Sequence, residues 1–244
     1  MPVQREVSVE NKQVARAAIQ ALIAGPRHGL IQVLDPAAQL LDVHIENGTA
    51  TVNFDRNPLL DGRGRDAIAL TLTHFSSIQR VQLQVQGRDL DGPRARPVLN
   101  PINPLGLPVD YKQTEFLPLY FMSVDGSHQV RVIRMVPKTD HTAEGTVRAL
   151  LEGPGSYGYA LWRVIPAATE LRGISLENGI VTVDLTRAFA DAQDRQAATR
   201  TLSASLTTLP GVKGVRILVE GKLLSDYWGE GYGGVLHRPV INGE

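Results

Sequence analysis

The chain spells much of itself twice. Gly25-Pro26 returns as Gly153-Pro154, and Ile45-Glu46-Asn47-Gly48 returns as Leu176-Glu177-Asn178-Gly179. Thr51-Val52-Asn53-Phe54 returns as Thr182-Val183-Asp184-Leu185. Leu72-Thr73 precedes Val81, Leu83, Val85 and Gly87, just as Leu206-Thr207 precedes Val215, Ile217, Val219 and Gly221. Arg96-Pro97-Val98-Leu99-Asn100 matches Arg238-Pro239-Val240-Ile241-Asn242. The offset drifts from 128 at Gly25/Gly153 to 142 at Arg96/Arg238, so the insertions fall between blocks, where loops tolerate them. A period of about 130 residues is too long for a solenoid and means two copies of one domain. In a chain of 244 residues each copy is long enough to bury its own core.

Each copy reads in the same order. Val14, Ala18 and Leu22, with Ile19 and Ile23, set an apolar face at helical spacing, matched by Val147, Leu150 and Leu151. Both helices run into Gly-Pro, where glycine supplies the turn and proline cannot continue the helix. Two alternating strands follow, Val43/Ile45 with Ala50/Val52/Phe54, and Ile174/Leu176 with Val181/Val183/Leu185. The Asn-Gly between them is the strongest short hairpin signal, because a type I′ turn needs positive φ at both central residues. A second helix carries Ile68, Leu72 and Phe75, or Leu202, Leu206 and Leu209. A last strand closes the unit, Val81-Leu83-Val85 or Val215-Ile217-Val219. The fold class is therefore α/β of the α+β kind, an α-β-β-α-β unit in tandem, with both helices on one face of a small mixed sheet.

The second copy opens with an added hairpin, Phe116 to Met122 and Gln129 to Val136 around Asp125-Gly126. The first copy carries a counterpart of its second strand alone, Val3 to Val9; either the missing first strand is expected upstream of Met1 in the natural chain, or the two copies have diverged there. Pro101, Pro104 and Pro108 stiffen the stretch between the copies. The expected division is a first domain at 1–100, a linker at 101–115 and a second domain at 116–244.

Composition closes several chemistries. The chain has no cysteine, so disulfides, thiolate catalysis and cysteine-ligated zinc are out. Lys+Arg and Asp+Glu both number 25, and this net neutrality argues against a phosphate-backbone binder. No run of 18 apolar residues is present, and Met1 to Glu10 has no apolar signal core. The six histidines show no metal-ligand spacing. Gly229 to Gly234 fits GxGxxG in letters, but no helix pattern follows it, so it is not a dinucleotide fingerprint. Asp184 has Asn53 as its repeat partner, which suits hairpin hydrogen bonding better than catalysis. Aromatic residues crowd into the second copy. Tyr157, Tyr159 and Trp162 follow its first helix, and Tyr227, Trp228 and Tyr232 lie near its end. Tyr and Trp make good contact anchors, so these six form the candidate contact surface.

The repeated blocks resemble the GerMN-domain family. The resemblance rests on Ala21–Pro26 and Ala149–Pro154, the Asn-Gly hairpin ending at Thr182–Leu185, and Leu206–Val212. It covers nearly the whole chain. It implies a GerM-type sporulation and spore-germination protein with two such domains in tandem, similar in fold to the ring-building domains of secretion systems. It further implies an extracytoplasmic, membrane-anchored lipoprotein whose signal and lipid-attachment cysteine are not in this chain. No catalytic, metal or cofactor-binding residues come with it. The expected function is a non-enzymatic protein-interaction scaffold in the mother cell–forespore channel apparatus, with other sporulation membrane or channel proteins as partners. The competing expectation is a peptidoglycan- or glycan-binding wall module using Tyr227 to Gly234. A third is a hydrolase confined to the second copy, resting on Asp184, His141 or Ser156.

Overall fold

The structure, a computed structural model, describes residues 3–9, 13–27, 30–97, 101–102, 112–138 and 141–243, of which 101–102 by backbone alone. Contacts divide the chain into two compact units, residues 5–98 and residues 1–4 with 99–243.

The first unit begins with α1 (Val14–Ile23). Its core face is Ile19, fully buried, with Ala15, Leu22 and Ile23 packed beside it. Val14, expected on that face, is 44% exposed. Apolar residues cover more than half of this helix, so spacing alone could not choose the face that packs. Strands β1 (Leu40–Glu46) and β2 (Thr49–Phe54) form the expected hairpin. Its turn has φ of +49° at Asn47 and +73° at Gly48, as a type I′ turn requires. Ala50, Val52 and Phe54 alternate into the core. Helix α2 (Gly62–Leu72) is started by Asp61, whose carboxylate accepts the Arg63 backbone N–H at 2.8 Å. It buries Gly64, Ile68, Ala69 and Leu72. The crossover through α2 returns the chain to β3 (Arg80–Val85), parallel to β2. Short strands β4 (Arg88–Asp89) and β5 (Arg94–Ala95) both pair antiparallel with β3.

Residues 3–9 are not the strand expected of them. Among them Gln4 alone makes a bridge, to Gly243 of the unit to which residues 1–4 belong. The segment still holds a repeat position, because the Arg5 guanidinium donates to Ala21 O at 3.1 Å and Gly25 O at 2.8 Å, over the end of α1.

The second unit repeats the design and adds a layer. Strand β6 (Pro101–Ile102) pairs parallel to β8 (Gln129–Pro137), so the proline-rich stretch contributes a short edge strand. Strand β7 (Thr114–Ser123) pairs antiparallel with β8 along nine residue pairs from Thr114↔Pro137 to Met122↔Gln129. Then come α3 (Thr142–Glu152) and β9 (Leu161–Trp162), which pairs with the end of β7. The repeat sheet is β10 (Leu171–Glu177), β11 (Ile180–Leu185), β12 (Gly214–Val219) and β13 (Lys222–Leu223), in that order, with β11 and β12 parallel. Helix α4 (Arg195–Leu206) crosses between β11 and β12, and the short α5 (Ser225–Trp228) follows β13.

Here the helices are not covered on one face alone. Helix α4 packs on β12 below and on β7 above. Leu117, Leu119 and Phe121 of β7 are buried against the helix layer, and Leu202 and Leu206 face the repeat sheet's Val181, Val183 and Ile217. Small polar residues fill the tight space: Thr201, Ser203 and Ser205 are buried. The Ser205 hydroxyl donates to Thr201 O at 2.7 Å and accepts the Tyr120 backbone N–H at 2.9 Å, which joins helix to covering strand. On β8, Arg134 is buried and donates to Ala149 O at 3.3 Å and Gly153 O at 2.9 Å, the end of α3. It does for α3 what Arg5 does for α1. Burial pushes the Arg134 pKa down, and Glu152 at 2.9 Å opposes that shift.

Candidate contact surface

The six aromatic residues fall into two groups. At the end of the chain, Trp228 is 8% exposed, stacks on Phe189 with centroids 5.3 Å apart and meets Tyr232 edge-on at 5.1 Å. Its indole N–H donates to Ala190 O at 2.9 Å. Arg187 lies over the Tyr227 ring at 5.1 Å, and Arg195 over the Trp228 ring at 5.6 Å. Trp228 is thus a core residue, and Tyr227 and Tyr232 are half-buried against the same core. The stretch from Tyr227 to Gly234 closes the hydrophobic core, and its tryptophan presents no stacking face to a glycan.

The other group is placed differently. Tyr159 is 80% exposed, and its ring centroid lies 6.5 Å from that of Tyr157. Trp162 lies on β9 opposite Met122. The Val124 N–H donates to Ala160 O at 3.1 Å, which ties the β7–β8 turn to this loop. Val124 is itself 60% exposed and shares with Trp162, Leu161, Pro154, Glu152 and Arg163 the lining of a shallow depression of about 410 Å³. The contribution of Val124 was not visible in the sequence, since a turn valine carries no signal until β9 is placed beside it. The turn is stiff. Asp125 accepts from the Ser123 hydroxyl and from the Ser127 backbone and hydroxyl, which hold its carboxyl down at about 2.

The residues considered for hydrolysis have other employment. The Asp184 carboxylate accepts the Gly221 N–H at 2.9 Å and pairs with Arg172 at 3.3 Å. Asn53 accepts the Gly87 N–H at 3.0 Å in the first unit. Both support a second tight turn, Gln86-Gly87 or Glu220-Gly221, with positive φ at both residues. An amide serves there as well as a carboxylate because only an acceptor is needed. Ser156 lies in a single 3₁₀ turn, Gly155–Tyr157, and His141 precedes α3. Among the described residues no three histidine, aspartate or glutamate side chains are grouped to hold a metal ion. A wider hollow in the first unit, about 830 Å³, is lined by Asp61, Arg63, Arg65, Asp66, Asp91 and Arg94. Most of its charges pair within it: Asp61 with Arg63, and Asp91 with Arg65 and Arg94. The Arg63 hydrogen bond holds Asp61 below the usual carboxylate range.

The architecture defines a class: tandem copies of a small α+β domain, the second carrying a covering sheet and an exposed aromatic at its rim. The Germane family, described as sporulation and spore germination, matches at residues 1–91 and 118–225, and the chain belongs to it. Among solved structures, the chain is similar to the tandem GerMN domains of the sporulation protein GerM from Bacillus subtilis. That likeness has a TM-score of 0.71 at 20% identity and covers 98% of this chain and 93% of that one. The first GerMN domain of the same protein matches 52% of this chain and 96% of its own, at 18% identity and a TM-score of 0.39. No curated protein matches the sequence.

Proposed function

We propose that the chain is a non-enzymatic sporulation scaffold that holds a protein partner on the rim formed by Tyr159, Val124 and Trp162. The observation that carries this reading is a large exposed aromatic, 80% open, beside a 60% exposed valine on a hydrogen-bonded turn. A rigid aromatic anchor on a fixed support loses little entropy on binding. Asp184, the acid most open to a catalytic reading, supports a turn in the way Asn53 does, which favours binding over catalysis. The family points to sporulation or germination, and the resemblance to GerM-type proteins points to an extracytoplasmic, lipid-anchored setting among the membrane and channel proteins between mother cell and forespore. No helix among the described residues is long and apolar enough to cross a membrane.

The test is crosslinking and tagged pull-down of the natural protein from engulfing cells, with and without Tyr159→Ser plus Val124→Ser. Channel components are expected to be enriched, and the double variant is expected to lower their recovery about fivefold with an unchanged melting curve. Unchanged recovery overturns the placement of the surface. Wall fragments in place of proteins overturn the scaffold reading.

A further inference from the structure

Three asparagines in the chain precede a glycine: Asn47, Asn178 and Asn242. That pairing carries a chemistry of its own. The amide nitrogen of the following residue can attack the asparagine Cγ and close a five-membered ring, and glycine has no Cβ to obstruct the approach. All three asparagines have positive φ, 49°, 54° and 47°. They differ in what holds them.

Asn47 and Asn178 are exposed at the tips of the β1–β2 and β10–β11 hairpins. No described residue hydrogen-bonds to either side-chain amide, or to the N–H of Gly48 or Gly179. The glycine carbonyls are held instead. Gly48 O accepts the N–H of Gln79 at 2.7 Å and of Arg80 at 3.1 Å, and Gly179 O accepts those of Lys213 at 2.7 Å and Gly214 at 3.3 Å. The reacting atoms are thus unrestrained, while the other side of each tip fixes the entry to β3 or β12.

Asn242 is the reverse case. Its Oδ1 accepts the Gln129 N–H at 2.8 Å and its Nδ2 donates to Gln129 O at 2.8 Å. Its Cγ cannot turn toward the Gly243 nitrogen without breaking both bonds. The neighbouring Ile241 is 3% exposed, packs with Tyr120 and Ala204, and donates its N–H to Gln4 Oε1 at 2.7 Å. This segment must open before Asn242 reacts.

Room separates the two hairpins. A Cβ at Gly179 would stand 3.0 Å from Gly211 O and from the Lys213 stem. At Gly48 the nearest atoms are 3.4 Å away and belong to the Gln79 side chain, which can swing aside. The Asn47-Gly48 peptide unit therefore has more freedom to bring its nitrogen to Cγ.

We infer that Asn47 is a site of spontaneous deamidation in the folded protein, with Asn178 slower and Asn242 protected. The Gly48 nitrogen attacks Asn47 Cγ. The N–Cγ bond forms, the Cγ–Nδ2 bond breaks, and the proton of the attacking nitrogen leaves with Nδ2 as ammonia. Water then opens the cyclic imide. Opening at the former side-chain carbonyl leaves aspartate, and opening at the main-chain carbonyl leaves isoaspartate. Water is consumed, ammonia is released, and nothing is oxidised or reduced. Isoaspartate carries the side-chain methylene in the main chain. That extra backbone atom does not fit a two-residue turn between Glu46 and Thr49, so the modified tip loses its hold on the Gln79 and Arg80 amides. The inference does not depend on the rim around Tyr159.

The test ages the intact chain at mildly alkaline pH and follows each site by proteolysis and mass spectrometry. Free peptides spanning each Asn-Gly pair give the unrestrained rates. Asn47 is expected to convert within about tenfold of its peptide, Asn178 about two- to fivefold more slowly than Asn47, and Asn242 at least about tenfold more slowly than Asn47. Exchange of the Gln79 and Arg80 amides is expected to quicken at least about fivefold in the aged protein. Asn47→Gly suits the same turn and is expected to abolish both effects. Asn47→Asp is expected to keep slow exchange at Gln79 and Arg80, because the loosening belongs to isoaspartate. Ile241→Ala is expected to speed conversion of Asn242 at least about fivefold and to leave Asn47 unchanged. Circular dichroism verifies that each variant is folded. An Asn47 that stays intact while its peptide converts would overturn the proposal. So would an Asn242 that converts as fast as Asn47, an Asn178 that leads, or unchanged Gln79 and Arg80 exchange in protein shown to carry isoaspartate at position 47.

Discussion

Arg134 offers the sharpest test of how the second unit is held together. Its side chain is 3% exposed, whereas that of its partner Glu152 is 63% exposed. Removing the arginine therefore strands no buried charge on the other side. The loss lies in the carbonyls of Ala149 and Gly153, which each lose a charged donor, and in the packing of the buried stem. Hydrogen bonds from a charged donor are worth about 1.5–3 kcal/mol each, and the 3.3 Å bond to Ala149 belongs at the low end. Arg134→Ala should then destabilise the unit by about 3–5 kcal/mol. Arg134→Met keeps most of the volume and should cost about 2 kcal/mol, the penalty of the stranded carbonyls. Glu152→Gln, at an exposed carboxylate, should cost less than about 1 kcal/mol. The assay is urea unfolding followed by tryptophan fluorescence. Both tryptophans, Trp162 and Trp228, belong to the second unit, so the signal reports that unit alone. A loss of 3–5 kcal/mol should lower the midpoint by about 1–2 M urea. Equal, small shifts for Arg134→Ala and Glu152→Gln would refute the reasoning, because the arginine would then act only as half of a surface ion pair.

Gly64→Ala should destabilise the first unit by about 1–3 kcal/mol despite the better helix propensity of alanine. A Cβ there would come within 2.6 Å of Val33 O, and calorimetry that shows a gain in stability would refute this. Asp184→Asn should keep the Glu220-Gly221 turn, while Asp184→Ala should speed exchange of the Gly221 amide about fivefold, the loss of one hydrogen bond; equal exchange in the two variants would refute the acceptor role. Asp125 should titrate near pH 2 by NMR, against a usual 3.8. Its folded pKa is depressed, so the stability it lends the turn is full above about pH 4 and lost as the pH falls through about 2. A midpoint near 3.8 would remove the Ser123 and Ser127 hydrogen bonds from the account.

The legible parts of this fold were those with local causes. Asn47-Gly48 and Asn178-Gly179 need positive φ and announce their hairpins. Ile68, Leu72, Leu202 and Leu206 keep helical spacing and are all fully buried. The second pair of tight turns escaped notice because Gln86 and Glu220 are poor markers of positive φ, and the acceptors that steady them lie 34 and 37 residues away. The start of α2 at Asp61 has no distinctive letter, since a helix N-cap and a turn draw on the same side chain. The outward placement of Val14 and the irregular course of Val3 to Val9 are set by tertiary packing, which no local pattern encodes. Of the six aromatics, composition could name them but not sort them. Trp228 and Tyr159 are equally conspicuous as letters, and only the packing of Phe189 against the first separates a core residue from a surface one.

The position of α4 between two sheets also bears on the order of assembly. Its upper contact, Tyr120 to Ser205, spans 85 residues, and the tie between Gln129 and Asn242 spans 113. In the first unit the side chain that supports the Gln86-Gly87 turn reaches across only 34. Long loops must close before such contacts reward the chain, so the second unit should cross its folding barrier more slowly than the first. As the chain is made from its N-terminus, the quick unit emerges first, and the slow one is left to find its buried helix afterwards.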